Sequence, residues 1–549
     1  LTTISKDIFS MKKGFKYYSI LFLILLFASC SKNEDYTVLI PTDADFVALI
    51  NPKSIAEKGN FQKLEQYKIY QLAEGELKNQ DPTFDQLLND IKNNPTSSGV
   101  DIISPIYLFG QKINGKNMVA LITNMRDKDQ FEKHLSTIYK GLYKKEISFE
   151  KKDGFTTISG FNKPFIAWNK SQFLLIVSEF GVGEKAIQDY FTKIINDKHS
   201  LAKENNSFGD FVKNSQDINI WYTGNFLKNF SKHESSEKKN LDFTKSSWVN
   251  FISFTSDGIS FTQKFHPDAI TKVELQKHPM WKSKINTDFF KYFPAQSYMN
   301  IGLGIYPANT RYVFENQNFL TTFLEQYEID LNKLEQSFEG EALFSVYDFE
   351  IGKAFNPNDF FGKKEAFIKQ VVYPQFVLGG KMKNDLFFNE FIKSHQENIQ
   401  KIGPYYMLPI STNMKIYMTY KNNLMYITNN QSIMNQYLNN MVSSSNFVTT
   451  GYATNASNPM FGYVNLNFDQ YPKEVQKYIY QQIPFGNTKE MQTVLSYFDH
   501  IDYRVSNEYT KTGKIHMKKT DKNSLEVIFL LLDQAYSLFF NQAAQQNGN

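Results

Sequence analysis

The sequence carries one order of strand, turn and helix signals twice, at an offset of about 250 residues. The matching landmarks of the first and second copy are the strands 45–51 and 298–303, the strand ends 125–127 and 382–384, the turns 170–173 and 421–424, the strands 218–223 and 462–467, and the hairpin turns Asp257-Gly258 and Thr512-Gly513. Their order and spacing hold, while residue identities between the copies are few. The pattern predicts an old duplication, in which the chain folds as two copies of one unit.

The strands of each copy alternate apolar and polar residues, as Phe46, Ala48 and Ile50 do in the first strand. Such alternation is typical of an antiparallel sheet with one buried face and one free face. Helical patterns lie between the strands, at 53–93, 127–139, 182–195 and 308–338. We therefore predict an α+β fold: two tandem copies of an antiparallel-sheet-plus-helices unit, with the helices on one side of each sheet, after a lipoprotein signal peptide.

A chain of 549 residues is too long for one hydrophobic core, so several domains are expected. The predicted segments are an upstream extension and signal peptide at 1–29, a lipid-anchored tether at 30–38, a first α+β repeat at 39–266, a linker at 267–291, and a second α+β repeat at 292–549. The last helix, at about 523–540, contains Asp533 and is too short to span a membrane. We predict that it packs on the second sheet.

The N-terminal region has the three parts of a bacterial export signal. A lysine-rich start at 12–16 precedes an apolar core at 20–27, and small residues follow. The core is shorter than the roughly 20 apolar residues of a transmembrane helix. Cys30, the only cysteine of the chain, comes directly after the small residues Ala28 and Ser29. The alternatives are an ordinary secretory signal, in which Cys30 has no role, and an uncleaved membrane anchor.

Phe27, Ala28, Ser29 and Cys30 resemble the lipobox that lipoprotein signal peptidase recognises, although Leu is more frequent than Phe at the first position. The resemblance implies cleavage before Cys30, a diacylglyceryl group on its thiol and an acylated N-terminus. Two acyl chains already suffice for stable anchoring. The membrane is therefore the predicted partner of the N-terminal lipid.

The next residues, Lys32, Asn33, Glu34 and Asp35, resemble the export signal of surface lipoproteins in Bacteroidota, with Asn33 interrupting its tightest form. This resemblance implies an outer-membrane protein displayed at the cell surface. The alternative is a periplasm-facing lipoprotein, in which these residues are only a solvated tether.

Charge and cysteine content exclude several classes of protein. The whole chain has a formal charge of +4, and residues 1–29 supply four lysines and one aspartate, so the remainder is near +1. A nucleic-acid-binding protein would carry a basic excess, and none is predicted here. Without a second cysteine there is no disulfide and no thiolate metal site.

No local motif indicates catalysis or a cofactor. Residues 110–116 read G-x-x-x-x-G-K but lack the following Ser or Thr and lie in a predicted hairpin, so they are not a phosphate loop. The pairs Asp43/Asp45 and Asp127/Asp129 lack the further ligands and the glycine of a calcium loop.

The eight histidines of the chain show no H-E-x-x-H or H-x₃-H spacing. The densest group is His500 with Asp499 and Asp502. On a strand, Asp499 would point away from His500, so we predict a surface turn instead. The sequence thus predicts no catalytic, cofactor-binding or metal-ligating residue and no cofactor.

The lipobox at Cys30, the Ile-Pro-x-Asp-Ala-Asp opening at 40–45 and the strand end at 50–54 together resemble the Bacteroidota lipoprotein family catalogued as domain of unknown function 4836. The resemblance covers nearly all of the chain after the signal peptide. It implies no reaction and no catalytic residue, because the family has none assigned.

The sequence favours a lipid-anchored envelope protein that binds another envelope protein or a glycan and has no enzymatic activity. Two alternatives stay open. One is an envelope hydrolase whose site is assembled from residues far apart in sequence, since such sites need no local motif. The other is a glycan-binding surface lipoprotein, which would present exposed aromatic rings.

Overall fold

The computed structural model describes residues 36–68, 70, 71, 74, 75, 95–113, 115–159, 165–179, 182–197, 199–230, 242–309, 330–355, 368–410, 414–483, 487–518 and 521–547. The predicted signal peptide, Cys30 and the segment 31–35 lie outside these residues. No helix within the described ranges has the length and apolar character that crossing a membrane would require.

The described residues form two compact units. The first contains the described parts of 36–230, 247–259 and 521–547, and the second contains 242–246 and the described parts of 260–518. Helices and antiparallel strands occur in both units, so the predicted α+β class is confirmed.

The first unit is built on a sheet of short strands. Their bounds are β1 Phe46–Ile50, β2 Val100–Asp101, β3 Ile106–Ile113, β4 Lys116–Met125, β5 Phe149–Lys152, β6 Phe155–Ile158, β7 Phe165–Trp168, β8 Gln172–Ser178, β9 Ile218–Thr223 and β10 Ser247–Thr255. Antiparallel pairing gives the order β10-β9-β1-β3-β4-β8-β7-β6-β5, and β2 pairs with the end of β4.

The described helices of this unit follow a strand end or another helix. They are α1 Pro52–Lys58, α2 Lys128–Tyr143, α3 Glu184–Asn196, α4 Leu201–Glu204, α5 Asn206–Lys213 and α6 Gly224–Phe230. α2 begins where predicted, because the carboxylate of Asp127 accepts a hydrogen bond from the backbone N–H of Gln130 at 2.9 Å.

Strand β4 is buried on both faces, and this corrects the expectation of helices on one side only. Ala120 and Ile122 pack in a core that contains Phe191 of α3 and Phe211 of α5. Leu121, on the other face, packs in a core that Phe131 of α2 covers. The apolar run 118–122 is continuous rather than alternating, which is the pattern of a strand covered on both faces.

The second unit is also built on a sheet. Its strands are β11 Gly258–His266, of which 260–266 belong to this unit, β12 Met299–Gly304, β13 Phe338–Phe355, β14 Ile368–Met382, β15 Gln400–Ile402, β16 Tyr405–Pro409, β17 Lys415–Lys421, β18 Leu424–Thr428, β19 Met460–Asn465, β20 Phe498–Val505 and β21 Thr510–Met517. Antiparallel pairing gives the order β21-β20-β19-β12-β13-β14-β18-β17-β16-β15, and β11 lies beside β21.

Helices cover both faces of this sheet as well. They are α7 Ala269–Lys277, α8 Leu331–Ser337, α9 Leu386–Ser394, α10 Gln431–Leu438, α11 Lys473–Gln482 and α12 Lys489–Leu495. Met434 and Tyr437 of α10 pack with Val377 on one face, while Phe388 of α9 packs with Met418 on the other. Two short 3₁₀ segments follow α10, namely Phe447–Thr449 and Gly451–Ser457. They pack against the first of these cores.

The two sheets share one strand order. In each, the first strand lies between a long-range partner (β9 or β19) and the first strand of a hairpin (β3 or β13). A four-strand meander, β8-β7-β6-β5 or β18-β17-β16-β15, forms one end of the sheet. Four of the five predicted landmarks are therefore confirmed in both copies as strands, strand ends or turns. The predicted hairpin turn at Thr512-Gly513 is wrong, because both residues lie inside β21 and the turn is at 506–509.

A final helix, α13 Ser524–Asn547, confirms the predicted C-terminal helix but belongs to the first unit. The ring of Phe529 lies 5.4 Å from that of Phe61, and the Ser524 hydroxyl donates to the carbonyl of Gly258 at 2.9 Å. Burial, with the charges of Glu526 and Asp533, raises the pKa of Tyr67 to about 12. The expectation that this helix packs on the second sheet is therefore wrong.

Candidate functional site

The predicted lipidation site cannot be placed in the structure. Cys30, the lipobox residues Phe27, Ala28 and Ser29, and the segment 32–35 all lie outside the described residues. Their roles stay predictions.

Strands β20 and β21 bring together three side chains with ligand chemistry. The antiparallel register sets His500 opposite His516 and Asp502 opposite Lys514. Side chains two residues apart on a strand share a face, so His500 and Asp502 lie on one side of the sheet together with His516. Pairing across this hairpin, rather than closeness in sequence, therefore assembles the group.

The imidazole rings of His500 and His516 are stacked. Their centroids are 4.0 Å apart and their planes differ by 13°. Nε2 of His516 also contacts the Asp502 carboxylate. One ligand atom from each of His500, Asp502 and His516 lies within 4.8 Å of the others. We call these three residues the His–Asp cluster.

A β-bulge adds a second carboxylate to the His–Asp cluster. The register shifts between Phe498 and His500, which leaves Asp499 unpaired in the bulge. Its carboxylate lies 2.8 Å from Nδ1 of His500. The bulge explains this contact, because in a regular strand neighbouring side chains point to opposite faces.

The surroundings of the cluster mix apolar and charged groups. The ring of Tyr463 lies 5.3 Å from that of His500, and burial together with a hydrogen bond to Tyr452 raises the pKa of Tyr463, so its hydroxyl is neutral. Nη2 of Arg504 lies 3.7 Å from the Asp502 carboxylate. The side chains of His500, Asp502 and His516 are 27%, 18% and 28% exposed, so solvent reaches all three.

Two imidazoles and a carboxylate can act in two ways. They are the ligands that borderline divalent cations such as Zn²⁺ prefer. An imidazole hydrogen-bonded to a carboxylate can also accept and release a proton near neutral pH.

The prediction that His500 lies in a surface turn is wrong, because it lies on β20. Sequence reasoning missed the cluster because its third member, His516, is on the next strand. The available signal was H-x-D on one strand of a hairpin with a histidine near the end of the other.

Other ionisable groups with displaced pKa values serve packing. Burial raises the pKa values of four tyrosines inside the two units, namely Tyr190, Tyr347, Tyr426 and Tyr437. Ion pairing with Lys333 lowers the pKa of Glu390. These groups keep the protonation states that they have at neutral pH in solution, so they indicate no acid–base chemistry.

The first unit has a lysine-lined cleft of about 510 Å³, which we call the lysine cleft. Its lysines are Lys128, Lys151, Lys152 and Lys170, and the lining also includes Asp153. Lys128 pairs with Glu132 at 3.1 Å, so one of its charges is partly balanced. The remaining excess of positive charge favours an anionic ligand or partner surface.

The weaker sequence motifs have structural roles. Gly110 lies in β3 against the ring of Phe46, which leaves no space for a side chain, so the G-x-x-x-x-G-K string is part of a hairpin as predicted. Asp43 pairs with Lys193, and Asp127 caps α2. Neither aspartate pair is part of a group with metal-ligand spacing among the described residues.

A family model described as "Domain of unknown function (DUF4836)" matches residues 36–525. This match covers most of the chain, so the chain belongs to that family, as its resemblance at 40–54 predicted. No curated protein and no solved structure gives a significant match.

Proposed function

We propose that this member of the family is a lipid-anchored protein of the cell envelope that binds another envelope protein and has no enzymatic role. The proposed lipid anchor rests on one observation: Cys30, the only cysteine of the chain, lies at the end of an export signal. As the resemblance implies, we also propose that the chain is cleaved before Cys30 and acylated at that residue, and that the protein comes from Bacteroidota.

The anchor would hold the first unit close to the membrane. Five residues separate Cys30 from Tyr36, where the first described element begins. Even a fully extended chain spans only about 3.5 Å per residue, so this tether reaches about 20 Å. A partner of the first unit would therefore also lie near the membrane surface.

The lysine cleft supports an acidic partner for the first unit. Its four lysines would attract carboxylates on a protein surface and speed association at low salt. A glycan platform has less support, because Tyr306 and Tyr478 are the only aromatic rings among the strongly exposed large apolar side chains that the structure describes. Stacking on sugar rings needs exposed aromatic faces, so we favour a protein.

A hydrolase is the second candidate, and the pair His500 and Asp499 is the observation that favours it. The two groups are 2.8 Å apart and partly exposed, as in a general base with an orienting carboxylate. A nucleophile beside this pair would be needed, and burial raises the pKa of the neighbouring Tyr463, so its hydroxyl is a poor one.

The anchor is tested by fractionation of Cys30→Ala. We expect the wild type to sediment with membranes and to be released only by detergent, and we expect Cys30→Ala to be lost from the membrane fraction. Ser31→Ala is the matched control, because it alters the neighbouring residue and leaves the lipobox intact. Unchanged membrane association of Cys30→Ala would contradict the anchor.

The side of the membrane is tested by protease treatment of intact cells. We propose display at the surface through Lys32, Glu34 and Asp35, so external protease should digest the wild type and spare a variant with all three changed to Ala. Asn33→Ala is the control, since Asn33 interrupts the charged pattern. Protection of the wild type would instead place the protein on the periplasmic side of the outer membrane.

A further inference from the structure

We propose that the His–Asp cluster is a binding site for one divalent cation of the zinc class, with Asp499 as the residue that positions His500. The proposal goes beyond the envelope-binding role and does not depend on the anchor. It rests on the register of β20 with β21, the bulge at Asp499 and the ligand chemistry of the three side chains.

The spacing is within reach of a metal site. Zinc–nitrogen bonds of about 2.0 Å in a tetrahedral site place ligand atoms about 3.3 Å apart. The ligand atoms here lie within 4.8 Å of one another, and the backbone pairing of His500 with His516 fixes their separation along the sheet. Closing the remaining gap requires only side-chain rotation.

That rotation is available to both histidines. The rings are nearly parallel at 4.0 Å, so at least one must turn for two ring nitrogens to point at one ion. Each ring is more than a quarter exposed and can change its rotamer without displacing the core. The cation would bind Nε2 of His516 and the Asp502 carboxylate in place of their present contact with each other.

Asp499 gives His500 the tautomer that a metal needs. A carboxylate at 2.8 Å from Nδ1 makes that nitrogen the donor, so Nε2 carries the lone pair. Histidines that bind metals commonly donate their second ring N–H to a carboxylate in this way. The second carboxylate therefore belongs to the support of the site and not to its ligands.

The neighbouring charges select the class of cation. Arg504 lies 3.7 Å from Asp502, and Lys514 is the cross-strand partner of Asp502, so this carboxylate faces two basic residues. Attraction by net negative charge is therefore weak, and binding depends on imidazole coordination. Ca²⁺ and Mg²⁺, which need six or more oxygen ligands, would bind poorly. With three protein ligands, water would complete the shell.

The test is an equilibrium zinc titration of the full chain, extracted in detergent, purified on a tag without histidine and stripped with a chelator. Competition with a chromophoric zinc chelator measures affinity and stoichiometry. We expect one Zn²⁺ per chain at micromolar or tighter affinity, an increase in thermal midpoint on zinc addition, and no competition from millimolar Ca²⁺.

The variants separate the cluster from other zinc-binding histidines. We expect His500→Ala, His516→Ala and Asp502→Asn each to weaken zinc binding about tenfold or more and Asp499→Asn to weaken it about tenfold. His199→Ala is the matched control, because His199 is an exposed histidine paired with a carboxylate of Glu204 outside the cluster. It should bind zinc as the wild type does.

Two results would overturn the metal site. One is a wild type that binds less than one Zn²⁺ per chain at micromolar free zinc. The other is equal affinity in the wild type and in Asp502→Asn, with the same near-ultraviolet circular dichroism in both. The second result would mean that the cluster consists only of the ion pairs His500–Asp499 and His516–Asp502 and binds no metal. Neither result bears on membrane association, which Cys30→Ala tests separately.

Discussion

At the scale of single residues, aspartates satisfy backbone groups that the fold leaves unpaired. Asp268 precedes α7, and its carboxylate accepts hydrogen bonds from the N–H groups of Ile270 and Thr271 and from the hydroxyls of Thr271 and Ser246. Partial burial alone would raise the pKa of Asp268, but these four hydrogen bonds outweigh it and lower the pKa below its ordinary value of 3.8.

The lowered pKa predicts a pH-dependent contribution to stability. A carboxylate whose pKa is lower in the folded state stabilises that state above its unfolded pKa, and the contribution is lost as the pH falls through the folded value. Asp268→Asn keeps an acceptor but removes the charge, so it should lower the free energy of unfolding by about 1 kcal/mol at pH 7.

Urea unfolding of the wild type and of Asp268→Asn at several pH values measures this difference in the free energy of unfolding. The difference from the wild type should persist from pH 7 to about 5 and shrink below 3.8. Asp189→Asn is the control, since Asp189 forms an exposed pair with Lys185 and should change stability little at any pH. A difference that stays constant down to pH 2 would show that the charge is not the cause.

At the scale of elements, a mid-strand glycine shows why the turn prediction at Thr512-Gly513 was wrong. Gly513 lies in β21 under the ring of Phe261, and an added Cβ would come within 2.1 Å of that ring. The glycine is there because the ring needs the space, not because the chain turns. Residue type alone does not distinguish a glycine that a turn requires from a glycine that close packing requires.

This packing predicts a clear stability difference between two glycine substitutions. Gly513→Ala should displace Phe261, which also stacks on Tyr503, and lower the free energy of unfolding by about 1–3 kcal/mol. Gly462→Ala in β19 meets only an ordinary contact at 3.8 Å and should be nearly neutral. Thermal unfolding of both variants measures the difference, and equal midpoints would contradict the packing account.

Elements with strong local signals could be predicted from the sequence. The alternation of β1, the cap of α2 at Asp127 and the helices α3 and α13 all follow from residues within one segment. The His–Asp cluster could not be predicted, because it depends on the register of β20 with β21 and on the bulge at Asp499. Strand register is set by turn length and by packing against other strands, and neither can be read from the local sequence.

At the scale of the whole molecule, the two units use the same strand order. Each sheet has its first strand in the interior, a long hairpin beside it and a meander at one end. A duplication would leave this order after residue identities had diverged, so the common order supports the predicted origin. The predicted segment boundaries stay predictions, and 267–291 contains the helix α7.

We propose that Cys30 holds the protein at the membrane, and the decisive measurement is intact-mass and N-terminal peptide mass spectrometry of the protein purified from membranes. We expect the mature chain to begin at Cys30 and this residue to carry a diacylglyceryl thioether and an N-acyl group, which fatty-acid labelling should confirm. A mature chain that begins at another residue, or one in which Cys30 keeps a free thiol, would contradict it.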